Sequence, residues 1–277
     1  MVTQEEIKKG EEIRKRLLQT KEVEKRIAEK MSKIKHKLMV LSGKGGVGKT
    51  TVAVNLAVTL ALKGHKVGLL DADIHGPNVP KMLGVQHAKL EVNEKNMIVP
   101  IEPIKNLKVI SIQMALPQDD LPVIWRGPLK HKAIQQLLDE VEWGDLDFFI
   151  VDMPPGTGDE SLSVAQLIPD LDGVLIVVTP QEVALLDAIK AINFSRQLQK
   201  NVVGIVENMS GEIFGHGGGK KAAERYNVAY LGSIPMDAKI VRCGDEGEPF
   251  VMKYPDSEAA KAFEEVVSNL LKVLGEK

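Results

Sequence analysis

Apolar side chains fall at Ile7, Ile13, Leu17, Val23, Ile27, Met31 and Ile34 over residues 4–35, with charged residues between them. That spacing leaves a thin stripe on one helix face and predicts a solvated, charged helix lying across a body or a partner. From Lys37 the pattern changes. Short apolar runs bounded by turn residues read LMVLS, KVGLLD, LKVISIQ, DFFIVD, GVLIVVT, VVGIVEN and VAYLGSIP. Segments of helical period separate most of them, at Thr50–Lys63, Pro128–Val141, Ser161–Ile168 and Glu182–Gln199. Val/Ile/Leu runs without alternation imply strands buried on both faces, and the intervening helices supply the crossovers that parallel strands need. The expectation is an α/β fold, with a mostly parallel central sheet between two helical layers. A ligand belongs beyond the carboxyl ends of its strands. Residues 1–36 read as a helical extension and 37–277 as one domain.

Composition adds a charge asymmetry. The net charge of −2 divides into +5 on the first 37 residues, from 12 basic and 7 acidic, and −7 on the remaining 24 basic and 31 acidic. A basic head can serve as a nucleic-acid or membrane arm, but here glutamates alternate with the basic residues and aromatics are absent. A solvated helix is the simpler reading. No run of 18 apolar residues and no apolar leader core is present, so no spanning segment is expected. The single cysteine, Cys243, excludes an internal disulfide framework and fits a reducing compartment, here read as the cytoplasm.

The strongest chemical signal is Gly43-Lys44-Gly45-Gly46-Val47-Gly48-Lys49-Thr50, which has the glycine, four-residue, Gly-Lys-Thr spacing of a phosphate loop. It follows a strand and opens a helix, as such a loop must. Its glycines let backbone N–H groups turn inward onto phosphate oxygens at a helix N-terminus. Lys49 is placed to bridge β- and γ-phosphates, the Thr50 hydroxyl to ligate Mg²⁺, and Thr51 to reach the α-phosphate. Asp152 ends the run DFFIVD, where a carboxylate can hold the water shell of Mg²⁺. Asp71 and Asp73 end KVGLLD and the turn after it. Asp73 is the candidate for orienting an attacking water, while Asp71 reads equally as functional or as a loop cap. Pro154-Pro155-Gly156-Thr157-Gly158-Asp159 reads as a switch near the γ-phosphate, its glycines permitting two backbone states.

GKGGVGKTT resembles the deviant phosphate loop of the MinD/ParA-like ATPases. Joined with DADIHGPNVPKMLG, WRGP, WGDLDFFIVDMPPGTGDESLSVAQ and VENMS, it is similar to the Mrp/ApbC-type nucleotide-binding proteins, from about Lys37 to the C-terminus. The resemblance implies a homodimer in which the signature lysine, here Lys44, reaches the phosphates bound by the other subunit. A cation added in trans offsets charge on the transferring phosphoryl group. It also implies that Asn208 reads the adenine edge, favouring ATP over GTP.

Proteins of this type carry iron–sulfur clusters between subunits through a Cys-x-x-Cys pair beyond the NMS block. Here that stretch reads NMSGEIFGHGGGKKAAE, without cysteine. Four thiolates usually hold a cluster, and a dimer of this chain supplies two, both Cys243. Cys243 in a helix-end turn reads as a buried or incidental thiol, His216 as a loop residue, and His75 as a packing, capping or partner residue. The expected activity is that of an ATP- and Mg²⁺-dependent dimeric switch, slow in turnover, acting on a metalloprotein or assembly factor as client. One alternative is a positioning ATPase on membrane or DNA; another is a nickel-centre or hydrogenase maturation ATPase. The C-terminal segment argues against a membrane. Ala259, Phe263, Val266, Val267, Leu270 and Leu274 share one face, and the charges from Ser257 onward are four Glu and three Lys. The acidic body likewise argues against nucleic acid. The N-terminal helix is a candidate dock for a client or second subunit, and Arg126 in WRGP for a client or switch contact.

Overall fold

The computed structural model describes residues 4–74, 76–115, 127–156 and 158–276. His75, Arg126 and Thr157 lie outside the described residues. Helix α1 (Gln4–Met31) leads into β1 (Ile34–Leu41), and α2 (Lys49–Leu62) into β2 (Val67–Asp71). After α3 (Val79–Met82) come short strands β3 (Glu91–Val92) and β4 (Ile98–Val99), then β5 (Ile101–Ile104) and β6 (Leu107–Ser111). The chain continues through α4 (Gly127–Asp139), β7 (Leu146–Asp152), α5 (Asp159–Leu167), β8 (Gly173–Val178), α6 (Glu182–Gln197) and β9 (Val202–Ser210). It closes with α7 (Gly218–Tyr226), β10 (Tyr230–Pro235), α8 (Ala238–Glu246), α9 (Phe250–Lys253) and α10 (Glu258–Val273).

Among the described residues the main sheet has eight strands in the order β10-β9-β8-β1-β7-β2-β6-β5, parallel throughout except for the β5–β6 edge pair. Each expected apolar run became a strand. Their side chains alternate between two cores. Leu38, Val40, Phe148 and Ile150 join α2 and α10 on one side, while Met39, Leu41, Phe149 and Val151 face α4, α5 and α6 on the other. The helical layers on both faces are as the sequence pattern indicated.

Strand β1 starts at Ile34, slightly before the change of pattern read at Lys37. Ile27 and Met31, near the end of α1, are fully buried in the second core with Ile134 and Leu138 of α4. Arg26 adds a hydrogen bond of 3.0 Å from Nε to Asp139 Oδ1. At the other terminus, α10 buries Ala259, Phe263, Val266, Val267 and Leu270 against α2 and β10. That apolar face is covered by the sheet, as expected. No helix among the described residues is long and apolar enough to cross a membrane.

Central placement matters most for the site. Strand β1 lies between β7 and β8, and β7 lies between β1 and β2. The register sets Asp152 beside Val40 on one side and beside Asp71 on the other. Three carboxyl-terminal strand ends therefore deliver the glycine loop and two acidic residues to one spot.

Candidate nucleotide-binding site

The loop after β1 wraps a cavity of about 380 Å³ lined by Lys44 to Thr51, Asp73, Asn78, Lys81 and Pro155. Two glycines are there for space as well as rotation. A Cβ on Gly43 would lie 2.1 Å from the carbonyl oxygen of Asp187 in α6, a backbone atom that cannot swing away. Gly48 has φ 77°, in the left-handed region, and a Cβ there would lie 2.2 Å from Asn208 Nδ2.

Lys49, buried at the start of α2, donates from Nζ to Asp152 Oδ1 at 2.5 Å. The Thr50 hydroxyl donates to Asp152 Oδ2 at 2.7 Å. Asp152 is fully buried, and burial pushes its carboxyl upward against the opposing pull of the Lys49 ammonium and the Thr50 hydroxyl. Asp71 is fully buried as well, pushed well above the usual carboxylate range first by desolvation and then by the charge of Asp152. Two buried carboxyls thus share one ammonium. That leaves a deficit of positive charge, which a divalent cation would offset. Thr50 and Asp152 carry hard oxygen donors of the kind that would hold Mg²⁺.

Asp71 itself acts on the loop. Its Oδ1 accepts from Asp73 N at 3.1 Å, and its Oδ2 from Val79 N at 3.3 Å and from Ser111 Oγ at 3.2 Å. The capping alternative left open for Asp71 is therefore on view. Asp73 lines the cavity and accepts from Gly76 N at 3.2 Å, so the loop holding it is braced at both ends. The segment expected to act as a switch is tied in through Gly156, whose N–H donates to Ser42 O at 3.0 Å. Lys44, at the cavity's edge, pairs with Asp187 Oδ2 of α6 at 3.4 Å. Its side chain is 37% exposed.

A second cavity of about 680 Å³ adjoins the first, with Thr51, Ile240 and Val241 lining both. Its remaining walls are largely apolar, from Met209, Ile213, Pro235 and Met236. Asn208, almost fully buried, lines it and donates from Nδ2 to Val47 O at 2.9 Å. That bond joins the end of β9 to the phosphate loop and leaves the amide oxygen as the remaining acceptor. Sequence reading found Asn208 but missed the apolar walls. They come from the ends of β9 and β10 and from α8, which have no motif in common. It also missed Asp187, since no residue spacing ties α6 to Lys44.

The stretch after β9, where the resemblance would place a cysteine pair, folds as a tight hairpin. Gly211 and Gly215 exchange backbone hydrogen bonds of 3.0 and 2.7 Å, and exposed His216 follows them. Buried Glu207 then caps α7, accepting from Gly217 N at 3.0 Å and Gly219 N at 2.7 Å. Cys243 lies in the last turn of α8, buried in the first core, with burial pushing its thiol up. Such a thiol is a poor source of thiolate. Among the described residues no group of three or more His, Cys, Asp or Glu is placed to hold a metal ion.

The family described as ParA, NUBPL iron-transfer P-loop NTPase, matches residues 33–271. The chain belongs to this family. An iron–sulfur cluster carrier protein of Saccharolobus solfataricus is 47% identical over 273 residues, covering 95% of this chain and 92% of its own. Among solved structures, a nucleotide-binding protein of Archaeoglobus fulgidus in complex with ADP, with cobalt found in it, aligns at a TM-score of 0.72 and 36% identity. That alignment covers 82% of this chain and 92% of the other. The septum site-determining protein MinD of Pyrococcus horikoshii, complexed with Mg-ADP, aligns at a TM-score of 0.68 and 25% identity over 87% and 98% of the two chains. The Mrp/ApbC-type, MinD/ParA-like resemblance read from the motifs, and the α/β fold it implied, are thus borne out.

Proposed function

We propose that this chain is a homodimeric, Mg²⁺-dependent ATPase that serves iron–sulfur or metal-centre assembly by acting on a client rather than by holding a cluster on its own thiolates. The observation that carries the ATPase reading is the Lys49–Asp152–Thr50 constellation within the glycine loop, beside an apolar cavity of base-compatible size. The client reading draws on the names of relatives, tempered by a chain whose one cysteine is buried.

In this reading, backbone N–H groups from Gly43 to Lys49 and the Thr50 and Thr51 hydroxyls hold the phosphates. Lys49 exchanges Asp152 for phosphate oxygens, and Thr50 and Asp152 are the residues that would hold Mg²⁺. The metal, when bound, neutralises charge on the β- and γ-phosphates. Asp73 orients the attacking water through a hydrogen bond. Asn208 offers its free amide oxygen to the N6 amine of adenine. Lys44 leaves Asp187 to reach the phosphates of the second subunit, which couples hydrolysis to dimer closure. Gly156 and Gly158 report the γ-phosphate to the client.

Lys44→Ala tests the trans role. Mg-ATP binding by titration calorimetry is expected within about twofold of wild type, with hydrolysis lowered about a hundredfold. Equal hydrolysis rates for the variant and wild type would refute it.

A further inference from the structure

Met209 has φ 61°. The other non-glycine residues with positive φ among those described are Asn96, Asn106, Asp170, Gln199 and Asn227. Asn and Asp tolerate this region because a short polar side chain can bond locally. A methionine has no such compensation, so surrounding structure must impose its conformation, and such strain collects at ligand sites.

The consequence of the strain is visible in where two side chains go. Neighbours along a regular strand point to opposite faces. Asn208 and Met209 are consecutive in β9, yet both lie against Gly48. A Cβ built on Gly48 would be 2.2 Å from Asn208 Nδ2 and 3.2 Å from Met209 Cε. The left-handed turn at Met209 breaks the alternation and brings the thioether back over the end of the phosphate loop. There it lines the apolar cavity together with Thr51. A polarizable, unbranched thioether at that point suits the face or edge of an aromatic ring.

We propose that Met209 is a nucleoside-positioning residue, held in a left-handed backbone so that its thioether seats the base of a nucleotide whose phosphates occupy the adjoining loop. This rests on the nucleotide reading of the site and adds the contact that binds the nucleoside half. Strain at this position is traded for a contact that the regular strand cannot make.

The test separates the two halves of the ligand. Wild type, Met209→Gly and Met209→Ala are titrated with Mg-ATP, and inorganic tripolyphosphate is used to displace the bound ATP. Glycine adopts a φ of 61° without steric strain, so Met209→Gly is expected to melt no lower than Met209→Ala. Both variants are expected to bind ATP about three- to tenfold more weakly, with the tripolyphosphate constant unchanged. The inference is overturned if ATP affinity is unchanged, or if ATP and tripolyphosphate weaken by the same factor, as loss of support for Gly48 alone would produce. A wild-type chain that binds tripolyphosphate but no ATP overturns it too. Binding of neither ligand by wild type would instead remove the nucleotide reading on which it stands.

Discussion

The two adjoining cavities are built in opposite ways. The phosphate cavity is built around one continuous stretch, Lys44 to Thr51, with Asp73, Lys81 and Pro155 at its rim and buried charge from Lys49, Asp71 and Asp152 behind it. The neighbouring cavity is assembled from residues scattered between Thr51 and Val241, and its walls are mainly apolar side chains. In the proposed reading, one takes up ligand charge through backbone N–H groups, the Lys49 ammonium and the Thr50 hydroxyl. The other buries a surface, where side chains are the whole device. Gly48 stands at the seam, its missing Cβ leaving room for both Asn208 and Met209. The phosphate side depends on residue identity throughout, whereas on the other side apolar shape is joined by the single buried amide of Asn208.

Removing the buried ammonium should have the largest effect on this contrast. Lys49→Ala is expected to weaken ATP binding about a hundredfold or more. It also strands Asp152, whose isolation costs about 3 kcal/mol. In a urea titration, adding Asp152→Asn should restore most of that stability while leaving ATP binding lost. If the double variant stayed as unstable as Lys49→Ala, the charge account of the phosphate cavity would be wrong.

The seam can be tested by filling Gly48, which stands at it, beside Gly43, which packs on α6 instead. Gly43→Ala pushes a methyl against the backbone of α6 and is expected to cost about 3 kcal/mol, with no side-chain substitution able to relieve it. Gly48→Ala meets the amide of Asn208 and carries left-handed strain, for about 2 kcal/mol together. Asn208→Ala should recover part of the second loss and none of the first. Equal rescue of both would mean the two glycines are not distinguished by what they touch.

The same contrast explains what the sequence made legible. The apolar runs located the sheet because strands buried on both faces have no polar position to blur the pattern. The glycine loop and the aspartates at strand ends were legible because their chemistry is local to a few consecutive residues. Helices α7 and α8 escaped notice. Helix α7 is short and begins within a run of three glycines; α8 buries little beyond Cys243. The Lys44–Asp187 pair and the walls of the apolar cavity were illegible because only the packing of α6, β10 and α8 brings them to the loop. Asn208 was found through family resemblance, while its bond to Val47 O depends on a β9 register that no motif encodes.

The smallest expected effect serves as a control at the opposite end of the sheet. There Glu276 pairs with Lys35 at 2.7 Å and His36 Nε2 at 2.7 Å, and Lys35 first, then His36, pushes its carboxyl down to about 2. A carboxyl depressed in the folded state contributes stability above its ordinary value of 4.5, and that contribution is lost as pH falls toward 2. Glu276→Gln should therefore lower the melting temperature slightly at pH 7, with the difference vanishing near pH 2 and ATP affinity unchanged. A melting difference that persisted at low pH would assign Glu276 a packing role instead.

The central claim is that both cavities hold one molecule of ATP. Titration calorimetry of Mg-ATP and Mg-GTP into the wild-type chain tests it most directly. One ATP per chain, with GTP bound about tenfold or more weakly because Asn208 presents an acceptor to the base, is the expected result. No ATP binding, or equal binding of ATP and GTP, would contradict it.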